Sequence, residues 1–254
     1  LLVLNDTKVF PARLIGQKGS GGHVEVLLLE RFPEPDRTLW LGLIDAGKKP
    51  RVGSELRFGG GITAEVLGDL GRGRFGLEFH HVGNFDEQLQ SLGEPPLPPY
   101  VRRGRPVEAL DHDRYQTVYA CHSGAVAAPT AGFHFTDELF EKLAAKGIAR
   151  TLLTLHVGPG TFQPVRSERI ENHRMEGERY SLSAMAAARI NRAKETGGRI
   201  IAVGSTSTRT LEWVARRHGR IVADEGFTRL YIHPGDRFHV IDASSGNQRR
   251  RPLA

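Results

Sequence analysis

The chain has 254 residues, a hydrophobic content of 39% and a formal charge of +6. That is enough apolar material for one large or two ordinary globular domains, and the positive balance favours a polyanionic partner. A single cysteine, Cys121, excludes an internal disulfide and a cysteine-rich metal cluster and fits a reducing compartment, so the cytoplasm is the expected location. No uninterrupted apolar run reaches about 18 residues, so no membrane span is expected, and no signal peptide is visible.

From Pro11 to Phe79 the chain reads as short apolar or alternating runs, ARLIG, HVEVLLLE, TLWLGLI, SELRF, ITAEVL and RFGLEF, separated by Gly, Pro and Asp. Evenly spaced short strands of this kind predict a small antiparallel β-barrel or sandwich. The segment PPLPPY, from Pro95 to Tyr100, cannot be helix interior and is read as the linker leaving that unit. Beyond it the period changes. Thr136 is placed to cap a helix that stops at Gly147, and TLLTLHV from Thr151 is a strand. Ser183 caps a further helix ending before Gly197, RIIAVG is a strand, and Thr208 to His218 is a helix stopped by Gly219. The alternation predicts an α/β fold with a mainly parallel sheet, into which the small β-barrel is inserted. The expected boundaries are 1–9 and 101–254 for the α/β domain and 10–100 for the barrel with its linker.

In open sheets of this class ligands collect beyond the carboxyl ends of the strands, and three loops of small residues fall there. They are GAVAAPTAGFHFT (Gly124 to Thr136), LHVGPGTFQPV (Leu155 to Val165) and VGSTSTRTLE (Val203 to Glu212). Pro129, Thr130, Gly132, Gly158, Gly160 and Thr161 are candidate ligand-contact positions, the glycines because they let backbone come close. Ser205, Thr206 and Ser207 at a strand-to-helix turn, with the fork of Arg209, suit a carboxylate or phosphate; an ordinary Ser/Thr cap beside a surface arginine accounts for the same letters. His134, His156 and His173 can each serve as a general base or as a structural histidine, and Glu178 with His173 and Glu176 can form an acid/base cluster or a solvated charged loop. No His pair shows metal-ligand spacing such as HExxH, so no metal is expected. Cys121 beside His122 lacks the surroundings of an activated thiolate. Arg102, Arg103 and Arg105 form a basic cluster after the prolines that reads either as an RNA-backbone contact or as a solubilising patch.

Taken together, LNDTKVFPARL, PLPPYVRR, YQTVYA, GAVAAPTAGFHFT, LHVGPGTFQPV, HRMEGE, VGSTSTRTLE and TRLYIHPGDRFHVID resemble the S-adenosylmethionine:tRNA ribosyltransferase-isomerase family of queuosine biosynthesis, in that family's order and over almost the whole chain. The resemblance implies transfer and isomerisation of the ribosyl unit of S-adenosylmethionine onto 7-aminomethyl-7-deazaguanine at the wobble position of tRNA. The products are epoxyqueuosine-tRNA, adenine and methionine. It also implies S-adenosylmethionine as cosubstrate, tRNA as partner, no metal, no membrane and a monomer. Two departures stand out. Glu176 occupies the place of a second histidine in the family's HxMHxE signature, and the family extends beyond both Leu1 and Asp242, so the chain is expected to be a fragment lacking both ends. A noncatalytic tRNA-binding module of the same fold is the rival reading; a methyltransferase is disfavoured because no GxGxG loop follows the first strand.

Overall fold

The computed structural model describes residues 1–98, 101, 106–162 and 175–246. The chain opens with β1 (Leu2–Asn5) and β2 (Thr7–Val9) and then runs through six strands: β3 (Arg13–Lys18), β4 (His23–Pro33), β5 (Thr38–Asp45), β6 (Glu55–Phe58), β7 (Thr63–Gly71) and β8 (Arg74–His80). These six close into a barrel in the order β3-β4-β5-β8-β7-β6, every pairing antiparallel. The period-2 pattern is the cause: along β4 and β5, Val24, Val26, Leu28, Trp40 and Ile44 point inward while their neighbours stay more exposed. Closure occurs where β3 meets β6, and Gly16 permits it, since a Cβ there would lie 2.4 Å from the Arg57 carbonyl oxygen and 2.6 Å from the Phe58 ring.

Helix α1 (Phe85–Leu92), capped by Asn84, brings Phe85 against Trp40 and Phe79, with ring centroids 6.3 and 5.1 Å apart. Buried Arg13 pairs with Glu25 and Glu94, and Arg13 and Glu94 exchange backbone hydrogen bonds. Residues beyond the last barrel strand are thereby tied to β3. The barrel unit accordingly runs Val9–Tyr115 and includes α2 (Ala109–Arg114), while the other unit comprises Leu1–Lys8 and Gln116–Ala254. The return between units falls at Tyr115/Gln116, later than the proline segment read as the linker.

The second unit contains β9 (His122–Ala125), α3 (Asp137–Ala145), β10 (Arg150–Leu155), β11 (Glu178–Leu182), α4 (Ala184–Glu195), β12 (Ile201–Val203), α5 (Gly204–His218), β13 (Asp224–Thr228) and β14 (Ala243–Ser245). Its six-stranded sheet has the order β13-β11-β10-β1-β12-β14. Strands β10, β1, β12 and β14 are parallel, and β11 and β13 add antiparallel at one edge. The α/β barrel-insert architecture read from the sequence therefore holds. All four residues of central β1 are buried, as a parallel strand covered on both faces requires. Leu2, Leu4, Phe140 and Val203 form a core cluster beneath α3.

Thr136 and Ser183 cap α3 and α4 by accepting from the Leu139 and Ala186 amides, and Gly219 ends α5 at φ 72°. One boundary differs. Helix α5 begins at Gly204 and not at Thr208, because Thr208 and Thr210 turn their hydroxyls back to the carbonyls of Gly204 and Thr206, each at 3.1 Å. Hydroxyls satisfied in this way are compatible with helix, which hides the true start in a Ser/Thr-rich run.

Candidate active site

The carboxyl ends of β1, β10 and β12 lie side by side, and Asn5, the last residue of β1, fastens them. Its Nδ2 donates to the Leu155 carbonyl (2.9 Å) and to Thr206 Oγ1 (3.1 Å), and its Oδ1 accepts from the amides of Leu155 (2.9 Å) and Thr7 (3.2 Å). One buried amide side chain thus spends its full donor and acceptor capacity joining the end of β10 to the first turn of α5. The three small-residue loops converge on the same edge. A Cβ on Gly204 would lie 3.0 Å from the Ala131 Cβ, and one on Gly124 would lie 2.9 Å from the His156 ring.

Asp6 follows Asn5 and is also buried. Its Oδ1 accepts from Thr154 Oγ1 at 2.6 Å, and its Oδ2 lies 3.8 Å from Nε2 of exposed His122. Burial raises its carboxyl above the usual range, against the lowering effects of Thr154 and His122. Thr7 Oγ1 sits 2.8 Å from Nδ1 of half-buried His156. Burial, aided by the positive charges of Arg179 and His122, pulls the His156 imidazole down to about 4. His156 is therefore a neutral ring at physiological pH. Asn5, Asp6, Thr7, Thr154 and His122 were not singled out as site residues from the sequence, although LNDT ends an apolar strand with consecutive polar residues, and that pattern is the available signal.

Glu178 and Arg209 are joined in a buried ion pair. Glu178 Oε1 also accepts from the Gly158 amide (3.0 Å), and Arg209 Nε donates to the Leu230 carbonyl (2.7 Å). Arg209 and Glu178, read from the sequence as an anion fork and an acid/base group, are thus each other's partners. Arg209 lies on the buried face of α5 with Nη1 on Glu178 and Nε on Leu230, while its Nη2 is buried with no hydrogen-bond partner among the described residues, and both Glu178 oxygens accept hydrogen bonds, which anchors the Gly158 loop. Ser205 is exposed, Thr206 is held by Asn5, and Ser207 is fully buried with no hydrogen-bond partner for its hydroxyl among the described residues. The α5 N-cap, Val203, supplies no side-chain acceptor to the first amides of the helix.

Pro129 and Gly132 are buried and Thr130 half-buried in the 3-10 turn Thr130–His134, whose last residue His134 is exposed. Gly132 is required by protein packing, since a Cβ there would fall 2.1 Å from the Tyr119 hydroxyl. Gly158 and Gly160 differ: Cβ atoms there would make only ordinary contacts, nearest 3.8 Å to Glu178 and 3.9 Å to Glu176. Thr161 belongs to the 3-10 turn Pro159–Phe162, its side chain outside the described residues, as are Arg102, Arg103, Arg105 and His173. Among the described residues no group of three His, Cys, Asp or Glu could hold a metal ion, and no helix is long and apolar enough to cross a membrane.

The family model described as queuosine biosynthesis protein matches residues 1–248. The chain is 50% identical over 243 residues to an S-adenosylmethionine:tRNA ribosyltransferase-isomerase of Trichlorobacter lovleyi, covering 96% of this chain and 70% of that protein. It is 48% identical over 248 residues to one of Caldanaerobacter subterraneus, covering 97% and 71%. A solved structure of S-adenosylmethionine tRNA ribosyltransferase from Thermotoga maritima is 30% identical, with a TM-score of 0.38 over 96% of this chain and 65% of that one.

Proposed function

The chain belongs to the queuosine biosynthesis protein family, and from that membership we propose that it transfers and isomerises the ribosyl unit of S-adenosylmethionine onto the aminomethyl group of 7-aminomethyl-7-deazaguanine in tRNA. Adenine and methionine leave, and epoxyqueuosine-tRNA remains. The observation that carries this reading is the Asn5 clasp, which draws the ends of β10 and α5 together at the sheet edge where such folds bind ligands.

The cosubstrate supplies much of its own activation: its sulfonium acidifies the adjacent C5′–H, and loss of that proton opens a route to ribose opening with departure of adenine. The chain's tasks are then to accept a proton, hold the methionine carboxylate and keep the reactants oriented, which in favourable cases is worth about 7–11 kcal/mol. His156 is the base in this scheme. For Nε2 to accept the proton, Nδ1 must carry its hydrogen and donate it to Thr7 Oγ1, so Thr7 sets the tautomer. The first amides of α5, at Ser205 and Thr206, take the carboxylate, while the Glu178–Arg209 pair fixes the Gly158–Gly160 backbone through the Gly158 amide. The exposed His134 and the family-signature His173 are the remaining candidates for proton delivery to the leaving groups.

Gly160 provides a direct test of close backbone approach. A Cβ there meets no protein atom nearer than ordinary contact, so Gly160→Ala is expected to leave the melting temperature within about 2 °C while raising the KM for S-adenosylmethionine at least about tenfold. An unchanged KM removes Gly160 from the binding surface. The reaction itself is tested by nucleoside mass analysis of substrate tRNA after incubation with the protein and S-adenosylmethionine. Appearance of the ribosyl-derived addition on the deazaguanine supports the proposal; tight tRNA binding with unmodified nucleoside favours a noncatalytic binding module.

A further inference from the structure

The barrel carries its charge unevenly between its two ends. The strand pairing places the β3–β4, β5–β6 and β7–β8 connections at one end and the β4–β5, β6–β7 and β8–α1 connections at the other. Residues 18–23, 45–55 and 69–74, at the first end, contain six basic residues, Lys18, Lys48, Lys49, Arg51, Arg72 and Arg74, against three acidic ones, Asp45, Glu55 and Asp69. Two of those acids are engaged locally, Glu55 with Arg57 and Asp69 with the Gly71 amide. At the opposite end residues 33–38, 58–63 and 80–88 contain Glu34, Asp36, Asp86 and Glu87 against Arg37 alone.

The basic end is also built to present its cations. Lys18 Nζ donates to the Lys48 carbonyl at 2.8 Å, tying the β5–β6 loop to the β3–β4 turn and leaving Lys48, Lys49 and Arg51 exposed. Among the described residues the side chains of Lys48, Lys49, Arg51 and Arg72 make no ion pair. Arg72 stands at the tip of the β7–β8 hairpin at φ 55°, between Gly71 at 77° and Gly73 at 80°, a conformation that favours Gly or Asn. An arginine kept in such a backbone points to use of its side chain. A separated set of cations on three loops fits a polyanion with spaced charges. Val52 and Leu70, the exposed large aliphatics of this end, offer too little apolar surface for a lipid bilayer.

We propose that this end of the barrel is a phosphate-backbone contact for the tRNA substrate, outside the unit that carries the sheet-edge site; the inference rests on the functional reading above. Contacts of this kind add affinity and register without reading sequence, and they reveal themselves in salt dependence. The test uses the intact chain, with Lys48→Glu/Lys49→Glu/Arg51→Glu and, separately, Arg72→Gly, which removes the charge while easing the backbone. Glu34→Lys/Asp36→Lys at the opposite end is the control.

The triple variant is expected to weaken tRNA binding on the order of 10- to 100-fold and to flatten the plot of log affinity against log salt by about 2–3. Arg72→Gly should lower that slope by about 1. KM for tRNA rises in both, kcat at saturating tRNA and affinity for S-adenosylmethionine stay at the wild-type level, and the control keeps wild-type tRNA affinity. A wild-type protein that modifies tRNA, alongside variants with unchanged tRNA affinity and salt slope, overturns the contact and leaves the function standing. Binding of phosphatidylserine vesicles that the triple variant loses, with tRNA binding intact, overturns it in favour of a membrane. A wild-type protein that neither binds nor modifies tRNA overturns both.

Discussion

Arg209→Ala is expected to destabilise the protein by about 3–5 kcal/mol, because it leaves the Glu178 carboxylate buried without its countercharge. Glu178 cannot escape by turning outward, since it lies within β11 in register with Thr228 of β13, and its other oxygen holds the Gly158 amide. The cost comes from stranding a charge, and the pair itself need not contribute net stability. Glu178→Met/Arg209→Met should therefore recover most of the loss, as apolar replacements of buried pairs commonly do. Denaturant unfolding of wild type, Arg209→Ala and the double variant makes the comparison. A loss below about 1 kcal/mol in Arg209→Ala contradicts the buried-pair account, and a double variant no better than the single one assigns the cost to lost packing instead.

His156→Gln is expected to reduce kcat by about 10²- to 10⁴-fold, the usual contribution of a positioned base, with little change in the KM for S-adenosylmethionine. Glutamine retains hydrogen-bonding capacity toward Thr7 but cannot take up a proton at any relevant pH. The pH dependence sharpens the test. With its imidazole pulled down to about 4, His156 remains an acceptor well into mild acid, so the acid limb of kcat/KM for the free enzyme should lie near pH 4 and not near 6.5. Stability shifts in a related way. Between about pH 6.5 and 4 the unfolded chain binds a proton at this residue while the folded chain does not, so stability falls as the pH falls through that window. His156→Gln removes that part of the slope. Loss of less than about tenfold in kcat, roughly 1.4 kcal/mol, excludes His156 from proton transfer and turns attention to His134.

The parts of the fold written in local periodicity were legible from the letters. The six barrel strands, the caps at Thr136 and Ser183 and the glycine stop at Gly219 each follow from a rule spanning a few residues. The antiparallel edge was not, because β11 and β13 are short and their pairing depends on contacts between residues far apart, such as Glu178 with Thr228. The site shows the same division. Its loops were found, since glycine, proline and hydroxyl residues gather at strand ends, but the chemistry of individual groups depends on distant partners. Arg209 reads as a surface fork until Glu178 is placed beside it, and His156 reads as one of several equal histidines until Thr7, Gly124 and Arg179 surround it. For Asn5 and Asp6 the sequence offers only the polar end of an apolar strand; their partners on β10 and α5 are brought to them by the fold.

The central claim is that this sheet edge donates the sugar of S-adenosylmethionine to a base in tRNA, and free adenine is its most direct report. Incubated with S-adenosylmethionine and tRNA carrying 7-aminomethyl-7-deazaguanine, the protein is predicted to release one adenine for each nucleoside modified, and none when either reactant is withheld. Adenine that never appears with both reactants present, or that appears equally without tRNA, contradicts the account.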